Sequence, residues 1–283
     1  MFVGLTEIKY LCTRYPDTFF TLRRLIPIEK NALCCEARGV FLLFIWCFAD
    51  NHVSLQLIMK DCVLILSGGM DSVTLLYDYQ ERIALAVSFN YGSNHNAREI
   101  PFARLHCERL GIEHLVIPLE FMGHYFHSSL LEGDDVIPEG HYADENMRST
   151  VVPFRNGIML AVATGLAESR GLQHVMMANH GGDHAIYPDC RPAFVEAFDR
   201  TAQAGTYNGV RLLAPYTNLT KGQIAARGRD LGIDYSETWS CYRGGERHCG
   251  RCGTCNERHE ALLEAGLDDP TEYEELPELG AAE

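Results

Sequence analysis

The stretch CVLILSGGMDSVT, residues 62–74, decides the fold of this chain. An apolar run ends at a serine and two glycines, and a helix-like segment follows at once. A strand that turns through glycines into a helix leaves several backbone N–H groups pointing at one spot, where the helix dipole also favours negative charge. The stretch therefore predicts a phosphate-binding loop, with an ordinary tight strand-to-helix turn as the alternative.

Short apolar runs and amphipathic stretches alternate from residue 61 onward. The runs CVLIL, IALAVSF, HLVIPL and HVMMAN are unbroken, as in strands that are buried on both faces of a sheet. Thr220 is of the residue type that caps helix N-termini, and Gly111, Gly171 and Gly232 stand where helices are expected to end. The pattern predicts an α/β fold, a Rossmann-like doubly wound parallel sheet, with its ligand crevice at the C-terminal strand ends.

The loop SGGMDS, residues 67–72, differs from two common phosphate loops. It lacks the lysine that ends G-x-x-x-x-G-K-[ST], and it lacks the spacing of G-x-G-x-x-G. A loop without that lysine can hold a β,γ-diphosphate that leaves intact. In this interpretation Ser67 and Ser72 donate hydrogen bonds, Gly68 and Gly69 let the backbone approach the phosphates, and Asp71 orients Mg²⁺ or a loop amide.

The composition is that of a globular protein that acts on a small molecule. The 283 residues are 47% hydrophobic and 22% charged, and the formal net charge is −14. Because this charge would repel a phosphate backbone, we expect no nucleic-acid partner. The apolar segment at residues 40–49 is shorter than the roughly 20 residues that span a bilayer, and no signal-peptide cleavage site follows it. We therefore expect no membrane partner and a cytoplasmic location.

Four cysteines crowd into CYRGGERHCGRCGTC, residues 241–255. Cys241, Cys249, Cys252 and Cys255 form a C-x7-C-x2-C-x2-C array. Four thiolates at this spacing can close a tetrahedron, which predicts one structural Zn²⁺ in a reducing compartment. An iron–sulfur cluster is the competing interpretation, and four unligated thiols are the third.

SGGMDS resembles the S-G-G-x-D-S signature of the PP-loop ATP pyrophosphatase family. Three further stretches extend the similarity, FNYGSNH at 89–95, VPFRN at 152–156 and YPDCR at 187–191. Together with the cysteine array they resemble the 7-cyano-7-deazaguanine synthase family over residues 59–266. The resemblance implies an adenine nucleotide alpha hydrolase-like fold. It also implies an ATP-dependent carbon–nitrogen ligase of queuosine biosynthesis, which converts 7-carboxy-7-deazaguanine and ammonia to the nitrile through adenylated intermediates.

The resemblance also implies roles for individual residues. The residues expected to be catalytic are Ser67, Asp71, Ser72, Arg155 and Lys221. ATP, with Mg²⁺, is expected to bind Leu66, Ser67, Gly68, Gly69, Met70, Asp71, Ser72, Val73, Thr74, Leu75 and Leu76. The substrate is expected to bind Tyr91, His95, Asn156, Asp183, Tyr187, Asp189 and Arg191.

Several of these residues have simpler interpretations. Arg155 and Lys221 could be solvent-facing residues at helix starts, although cations there oppose the helix dipole. Asp183 and Asp189 could form loop turns. Cys190 is interpreted as a packing or substrate-contact residue, because the ligation needs no nucleophilic thiol.

The chain is predicted to have four segments. Residues 1–58 form an N-terminal extension, either a mis-called leader before Met59 or a segment with a docked helix around residues 40–48. Residues 59–235 form the PP-loop ATP-binding α/β domain, and residues 236–267 a small helical zinc-binding subdomain. Residues 268–283 form an acidic tail that is expected to be solvated.

The sequence departs from the family pattern close to the expected substrate. It has GGDHAI at 181–186 where many members have E-T-D-F-S-G, and it has Phe154 and Asn90 where Gly and Asp are frequent. Three alternatives therefore stay open: a relative that transfers 7-deazaguanines to a macromolecule, a PP-loop tRNA thiolase, and a non-catalytic zinc-stabilised nucleotide-binding module. A thiolase would need a basic RNA-binding face and a reactive cysteine pair. A homodimer is one option for the assembly.

Overall fold

The computed structural model describes residues 60–133, 136–140, 145–277 and 279, together with the backbone of four strands before residue 60. The chain forms two compact units, Met1–Lys60 and Asp61–Glu283. The predicted further division of the second unit, at residues 235 and 267, stays a prediction.

The first unit contains a four-stranded antiparallel sheet. In order across the sheet, the strands are β1 (Ile26–Ile28), β2 (Ala32–Ala37), β3 (Val40–Ala49) and β4 (His52–Met59). The predicted alternative of a helix around residues 40–48 is wrong, because β3 pairs with β2 along one edge and with β4 along the other. Periodicity does not distinguish a short apolar strand from a buried helix, and β-branched and aromatic residues favour the strand here. The leader interpretation of residues 1–58 stays a prediction.

The second unit alternates strands and helices. Its strands are β5 (Cys62–Ile65), β6 (Ile83–Asn90), β7 (Glu113–Pro118), β8 (His174–Met176) and β9 (Arg211–Leu213). Its α-helices are α1 (Met70–Asp78), α2 (Asn96–Leu110), α3 (Glu120–Tyr125), α4 (Arg155–Ser169), α5 (Pro192–Gly205), α6 (Lys221–Asp230) and α7 (Gly253–Glu264).

The five strands are parallel and lie in the order β7-β6-β5-β8-β9. The chain therefore runs outward from the centre twice, first to β7 and later to β9. The order reverses between β5 and β8, and in open α/β sheets the ligand crevice lies outside the C-terminal strand ends at this switch point. The predicted Rossmann-like doubly wound sheet is confirmed.

Successive residues of the central strand pack into two different hydrophobic cores, one on each face of the sheet. Val63 belongs to the core that contains Leu160 of α4. Leu64 belongs to the core that contains Leu75 of α1. Burial on both faces explains why the strands are unbroken apolar runs in the sequence.

The predicted helix ends are confirmed. Thr220 caps α6 through a capping box, in which its hydroxyl accepts a hydrogen bond from the Gln223 N–H at 3.1 Å and the Gln223 side chain accepts one from the Thr220 N–H at 3.0 Å. Gly111 is the C-cap of α2. Gly171 and Gly232 each follow within two residues of the end of α4 and α6.

Among the residues that the structure describes, one helical stretch is long and apolar enough to span a membrane. Met147–Ser169 includes α4, and 44% of its most apolar window is buried. Since α4 contributes Leu160 and Ala163 to the same core as Val63 and Val175, we interpret the stretch as a core segment.

We expect Gly228→Ala to lower the free energy of unfolding by about 1–3 kcal/mol, because a β-carbon on Gly228 would collide with the hydroxyl of Tyr235. That hydroxyl also lies 2.9 Å from Thr74 Oγ1 and joins α6 to α1. The matched control is Gly165→Ala in α4, where a β-carbon would have no atom within 4 Å. This control should gain about 0.5–1 kcal/mol, because alanine favours the helix. Urea unfolding measures both, and equal effects would contradict the prediction.

Candidate active site

A cavity of about 230 Å³ opens at the C-terminal ends of β5 and β8, where the strand order reverses. Most of the residues that the sequence singles out line it. The predicted residues in its wall are Leu66, Ser67, Gly69, Met70, Asp71, Ser72, Tyr91, His95, Arg155, Asn156, Asp183, Tyr187 and Lys221. The sheet topology therefore brings together segments that lie up to 155 residues apart in the sequence, from Leu66 to Lys221.

Hydrogen bonds of its own two serines hold the phosphate loop in shape. Ser67 Oγ accepts a hydrogen bond from the Gly69 N–H at 3.0 Å and lies 3.0 Å from Ser72 Oγ. Ser72 Oγ in turn donates to the Gly69 carbonyl oxygen at 3.1 Å. Gly69 is the N-cap of α1, so the first N–H groups of this helix face the space beside the loop. The arrangement suits an anion.

Two neighbours fix the loop at Gly68. This residue has a φ of 101°, and a β-carbon on it would collide with the carbonyl group of Glu99 in α2. Its own carbonyl oxygen accepts a hydrogen bond from the Trp239 N–H at 3.1 Å. Glycine is therefore required for its conformation and for the close contact with α2.

The C-terminal part of the predicted ATP-binding segment faces away from the cavity. Val73, Leu75 and Leu76 are buried in the hydrophobic core. Thr74 Oγ1 donates to the Met70 carbonyl oxygen at 2.8 Å within α1. These positions support a structural role for the second turn of α1, so the proposed nucleotide contacts are confined to residues 66, 67 and 69–72.

Arg155 forms the positive end of the cavity. It begins α4, and its guanidinium donates to the Tyr91 hydroxyl at 3.1 Å and lies 5.7 Å from the centre of that ring. Burial alone would lower the pKa of Arg155, but Tyr91, Tyr187, Tyr242 and Asp189 raise it well above its ordinary value. The guanidinium therefore stays charged, and its position in the cavity wall suits an anionic group of a ligand.

Lys221 lies beside the phosphate loop in a group of carboxylates. Its Nζ is 2.8 Å from Glu257 Oε2 and 3.3 Å from Asp71 Oδ2. Burial alone would lower the pKa of Lys221, but Asp71, Glu257 and Asp183 raise it above its ordinary value. His180 Nε2 lies 3.7–3.9 Å from the same three carboxylates. The solvent-facing interpretation of Lys221 is therefore wrong, because its side chain is 11% exposed.

The YPDCR segment forms part of the cavity wall, in which Tyr187 and Cys190 are lining residues. Asp189 does not line the cavity; its carboxylate accepts a hydrogen bond from the Asn156 N–H at 2.8 Å at the start of α4. Burial raises the pKa of the Cys190 thiol, so this cysteine is not a thiolate. Arg191 is exposed and donates to the His184 carbonyl oxygen at 2.8 Å. The predicted substrate contacts of Asp189 and Arg191 lack support from these positions.

His95 and Glu99 also line the cavity, where Glu99 adjoins the phosphate loop and Arg155 acts electrostatically on both residues. His95 Nε2 lies 3.8 Å from Glu99 Oε2, one helical turn further along. Burial lowers the pKa of His95 to about 3, so the imidazole is neutral at pH 7. Burial also raises the pKa of Glu99 to about 8, although Arg155 acts in the opposite direction.

Sequence reasoning missed several residues of the site, among them Glu99, Trp239, Tyr242 and Glu257. The spacing of four between His95 and Glu99 places both on one helix face and is the signal that could have identified Glu99. Trp239 and Tyr242 line the cavity from the segment around Cys241. Glu257 holds Lys221 from α7, two residues after Cys255. No sequence pattern distinguishes these last three from ordinary core or surface residues.

The four cysteines of the array come together as predicted. Their sulfur atoms lie within 4.8 Å of one another, and all four residues are buried. The Cys249 N–H donates to Cys241 Sγ at 3.3 Å, and the Arg251 N–H donates to Cys249 Sγ at 3.4 Å. Hydrogen bonds of this kind support thiolate ligands, so the cluster fits a metal ion.

The acidic tail begins with residues that pack against this metal-binding segment. The Asp269 carboxylate accepts hydrogen bonds from the Thr271 N–H at 3.0 Å and the Tyr273 hydroxyl at 2.8 Å, and lies 2.7 Å from His259 Nδ1. The prediction of a solvated tail is wrong for these residues, because one carboxylate satisfies three polar neighbours. Glu272, Glu274 and Glu275 are exposed, as predicted.

Fold and site together define a nucleotide-binding α/β protein of the PP-loop type. The family model "Queuosine biosynthesis protein QueC" matches residues 61–266. A 7-cyano-7-deazaguanine synthase from Porphyromonas gingivalis is 65% identical over 215 residues, which are 76% of this chain and 98% of that relative. One from Desulfotalea psychrophila is 50% identical over 217 residues, with 76% and 99% covered. The chain therefore belongs to the 7-cyano-7-deazaguanine synthase family.

A solved structure, an NMN synthetase from Francisella tularensis, is similar with a TM-score of 0.42 at 14% identity. The similar region covers 74% of this chain and 79% of the NMN synthetase chain.

We expect Glu99→Gln to stabilise the protein at high pH. The Glu99 carboxyl is neutral in the folded protein up to about pH 8, whereas its ordinary pKa of 4.5 applies in the unfolded chain. Between these values the unfolded state binds fewer protons, so wild-type stability falls as pH rises. Two side chains act on this carboxyl: His95, whose Nε2 lies 3.8 Å from Glu99 Oε2, and Arg155; the Gly69 backbone adjoins Oε1.

The variant should match the wild type near pH 4.5 and exceed it by a few kcal/mol near pH 9, since each pKa unit corresponds to about 1.4 kcal/mol. Thermal melts across this range measure the difference. Glu108→Gln, at an exposed position of the same helix, is the control and should show no such divergence. A Glu99→Gln variant that is less stable than the wild type at high pH would contradict the assigned pKa.

Proposed function

We propose that this chain converts 7-carboxy-7-deazaguanine and ammonia to 7-cyano-7-deazaguanine with two molecules of ATP. One observation carries the proposal: the phosphate loop and the Arg155 guanidinium line the same cavity. An anionic substrate that attacks an anionic phosphate needs cations at both groups, because repulsion would otherwise raise the barrier. Family membership supports this reaction over others that a PP-loop serves.

The substrate carboxylate would attack the α-phosphorus of ATP and release diphosphate. The loop N–H groups and Ser67 would hold the β- and γ-phosphates, and Lys221 would offset the charge on the leaving diphosphate. Arg155 would hold the substrate carboxylate, with Tyr91 and Tyr187 beside it. Ammonia would then displace AMP to give the amide. A second adenylation, on the amide oxygen, would allow AMP to leave again as the nitrile forms.

Asp71 is suited to hold Mg²⁺ for the nucleotide. Its Oδ1 is buried and has no hydrogen-bond partner among the described residues, while Oδ2 faces Lys221. An orphaned carboxylate oxygen beside a phosphate loop matches the oxygen ligands that Mg²⁺ prefers. The ion would offset charge on the phosphates.

The cysteine cluster is suited to one structural Zn²⁺. Four sulfurs at about 2.3 Å from one ion lie less than about 4 Å apart in a tetrahedron, close to the observed separations of 3.4 Å for Cys252–Cys255 and 4.0 Å for Cys249–Cys255. An iron–sulfur cluster spreads its ligands over several iron atoms and needs wider spacing. The four side chains leave no position for substrate, so the role is structural.

The tRNA thiolase alternative is weakened by two observations. Cys190 lines the cavity as a protonated, buried thiol, and no second cysteine of the described residues lines it. The net charge of −14 disfavours a nucleic-acid substrate. The non-catalytic module is disfavoured by the charged Arg155 and Lys221 in the cavity wall. We further propose a cytoplasmic enzyme with no nucleic-acid or membrane partner; a homodimer stays a prediction.

The departures from the family pattern lie at the edge of the site. Phe154 has a φ of 54°, in the left-handed region that favours the glycine found in many relatives, and it is 59% exposed next to Arg155. Asn90 is exposed at the end of β6 and accepts a weak hydrogen bond from the Gly92 N–H at 3.4 Å. Neither residue lines the cavity, so these two departures leave the charged groups of the site unchanged.

The direct test is to incubate the purified protein with 7-carboxy-7-deazaguanine, ammonium and MgATP and to follow AMP and nitrile by mass spectrometry. We expect about two AMP per nitrile from the proposed stoichiometry. Ser67→Ala should lower turnover by about 10²-fold, since a donor to the phosphates is lost. Its melting temperature should hardly change. Ser169→Ala, at the exposed end of α4, is the control. No AMP above background with the wild type would refute the function.

We expect Cys252→Ser to lose the metal and much of the stability, because metal binding is coupled to folding. Elemental analysis should find about one zinc per wild-type chain and far less in the variant. Cys190→Ser is the control, since Cys190 is buried but outside the cluster, and it should keep the zinc. Iron and acid-labile sulfide in the wild type would contradict the zinc assignment.

A further inference from the structure

Glu99 is a carboxyl group in the cavity wall that the proposed reaction has not yet used. Among the residues that the structure describes, three carboxyl side chains line this cavity, on Asp71, Glu99 and Asp183. Asp71 faces Lys221, and Asp183 accepts a hydrogen bond from the His180 N–H at 3.1 Å. Glu99 instead faces His95 Nε2 at 3.8 Å, and that imidazole is neutral.

The position of Glu99 is between the two ends of the site. A β-carbon on Gly69 would lie 3.6 Å from Glu99 Oε1, so this oxygen adjoins the phosphate loop. The other oxygen faces His95, and the guanidinium of Arg155 is close enough to lower the pKa of the carboxyl electrostatically. A substrate joined to the α-phosphate would extend from the phosphate loop to Arg155, because in the proposed function the loop holds the phosphates and Arg155 holds the carboxylate. The reacting carbon would therefore lie next to Glu99.

Both nitrogen steps of the proposed reaction release a proton. When the ammonia lone pair forms the C–N bond, the C–O bond to AMP breaks and AMP keeps its electrons, and the added nitrogen must lose one proton to give the amide. When the amide oxygen is adenylated, the amide nitrogen loses one proton and forms a C=N bond. The electron pair of the remaining N–H bond then becomes the third C–N bond as the C–O bond to AMP breaks, and the second proton is released. Each proton needs an acceptor near the nitrogen.

We propose that Glu99 is the general base that accepts these protons, an assignment that rests on the proposed function. Its carboxylate takes a proton from nitrogen in each step and returns it to solvent before the next step. Asp71 and Asp183 suit this role less well, because each has another partner close by. Burial raises the pKa of Glu99 to about 8, so only a fraction of the protein carries the carboxylate near neutral pH, but that carboxylate is a stronger base than an ordinary one and becomes the major form above that pH.

The test separates the phosphate chemistry from the nitrogen chemistry in Glu99→Gln. Exchange of labelled diphosphate into ATP, with 7-carboxy-7-deazaguanine present and ammonia absent, reports adenylation alone. This exchange should stay within about threefold of the wild type, whereas nitrile formation should fall by about 10²-fold or more. Glu108→Gln, on the exposed part of the same helix, should leave both unchanged.

Hydroxylamine provides a readout that a merely structural role would not change. It is a weaker base than ammonia, so after the C–N bond forms its nitrogen gives up a proton to water more readily and its reaction depends less on a protein base. Hydroxamate formation by Glu99→Gln should therefore be reduced much less than amide formation. Loss of all three reactions in the variant would show that Glu99 serves the nucleotide or its cation, and would overturn the proposal.

Nitrile formation within about threefold of the wild type would overturn the proposal too, while leaving the proposed function intact. A wild-type protein that shows neither exchange nor nitrile would refute the function and, with it, the role of Glu99. The stability measurements on the same variant establish that the altered chain is folded.

Discussion

The contact between Gly68 and the backbone of Glu99 is the constraint on which the rest of the site depends. It leaves no room for a side chain at residue 68, and it presses the phosphate loop against the first turns of α2. That contact places the Glu99 carboxyl beside the loop. The hydrogen bond from Trp239 to Gly68 adds the segment before Cys241 to the same junction. One glycine therefore joins the strand end, the helix that carries His95, and the metal-binding segment.

The two cationic side chains of this cavity stand at different places along the edge of the sheet. Lys221 stands beside the loop with Asp71 and Glu257, and Arg155 stands among tyrosines at the other end. Both cations are kept charged by their neighbours despite burial. A ligand with negative charge at two points matches this arrangement, because each anionic group would meet a cation that has little access to water. The tyrosines around Arg155 add hydroxyl groups without adding opposing full charges.

Much of the fold and of the site was predictable from the sequence, for identifiable physical reasons. Unbroken apolar runs follow from burial on two faces, and the loop and the cysteine array depend on residues that lie within a few positions of one another. Glu257 and Trp239 were not predictable, because their roles arise only when α7 and the cysteine segment pack against the loop. Asp269 was misread since an acidic run resembles a solvated tail until its hydrogen-bond partners are known. The ten-residue run at β3 was ambiguous, because hydrophobicity alone does not set its period.

The hydrogen bond between Trp239 and Gly68 links the cysteine array to the phosphate loop through two residues of backbone. In the proposed function, an oxidant that modifies the cysteine sulfurs and prevents them from holding a metal ion would thus disturb the phosphate loop before it affects the central sheet. During such oxidation, the affinity for ATP would fall before the protein unfolds. The array would then make ATP use sensitive to peroxide, although its four cysteines do not line the cavity.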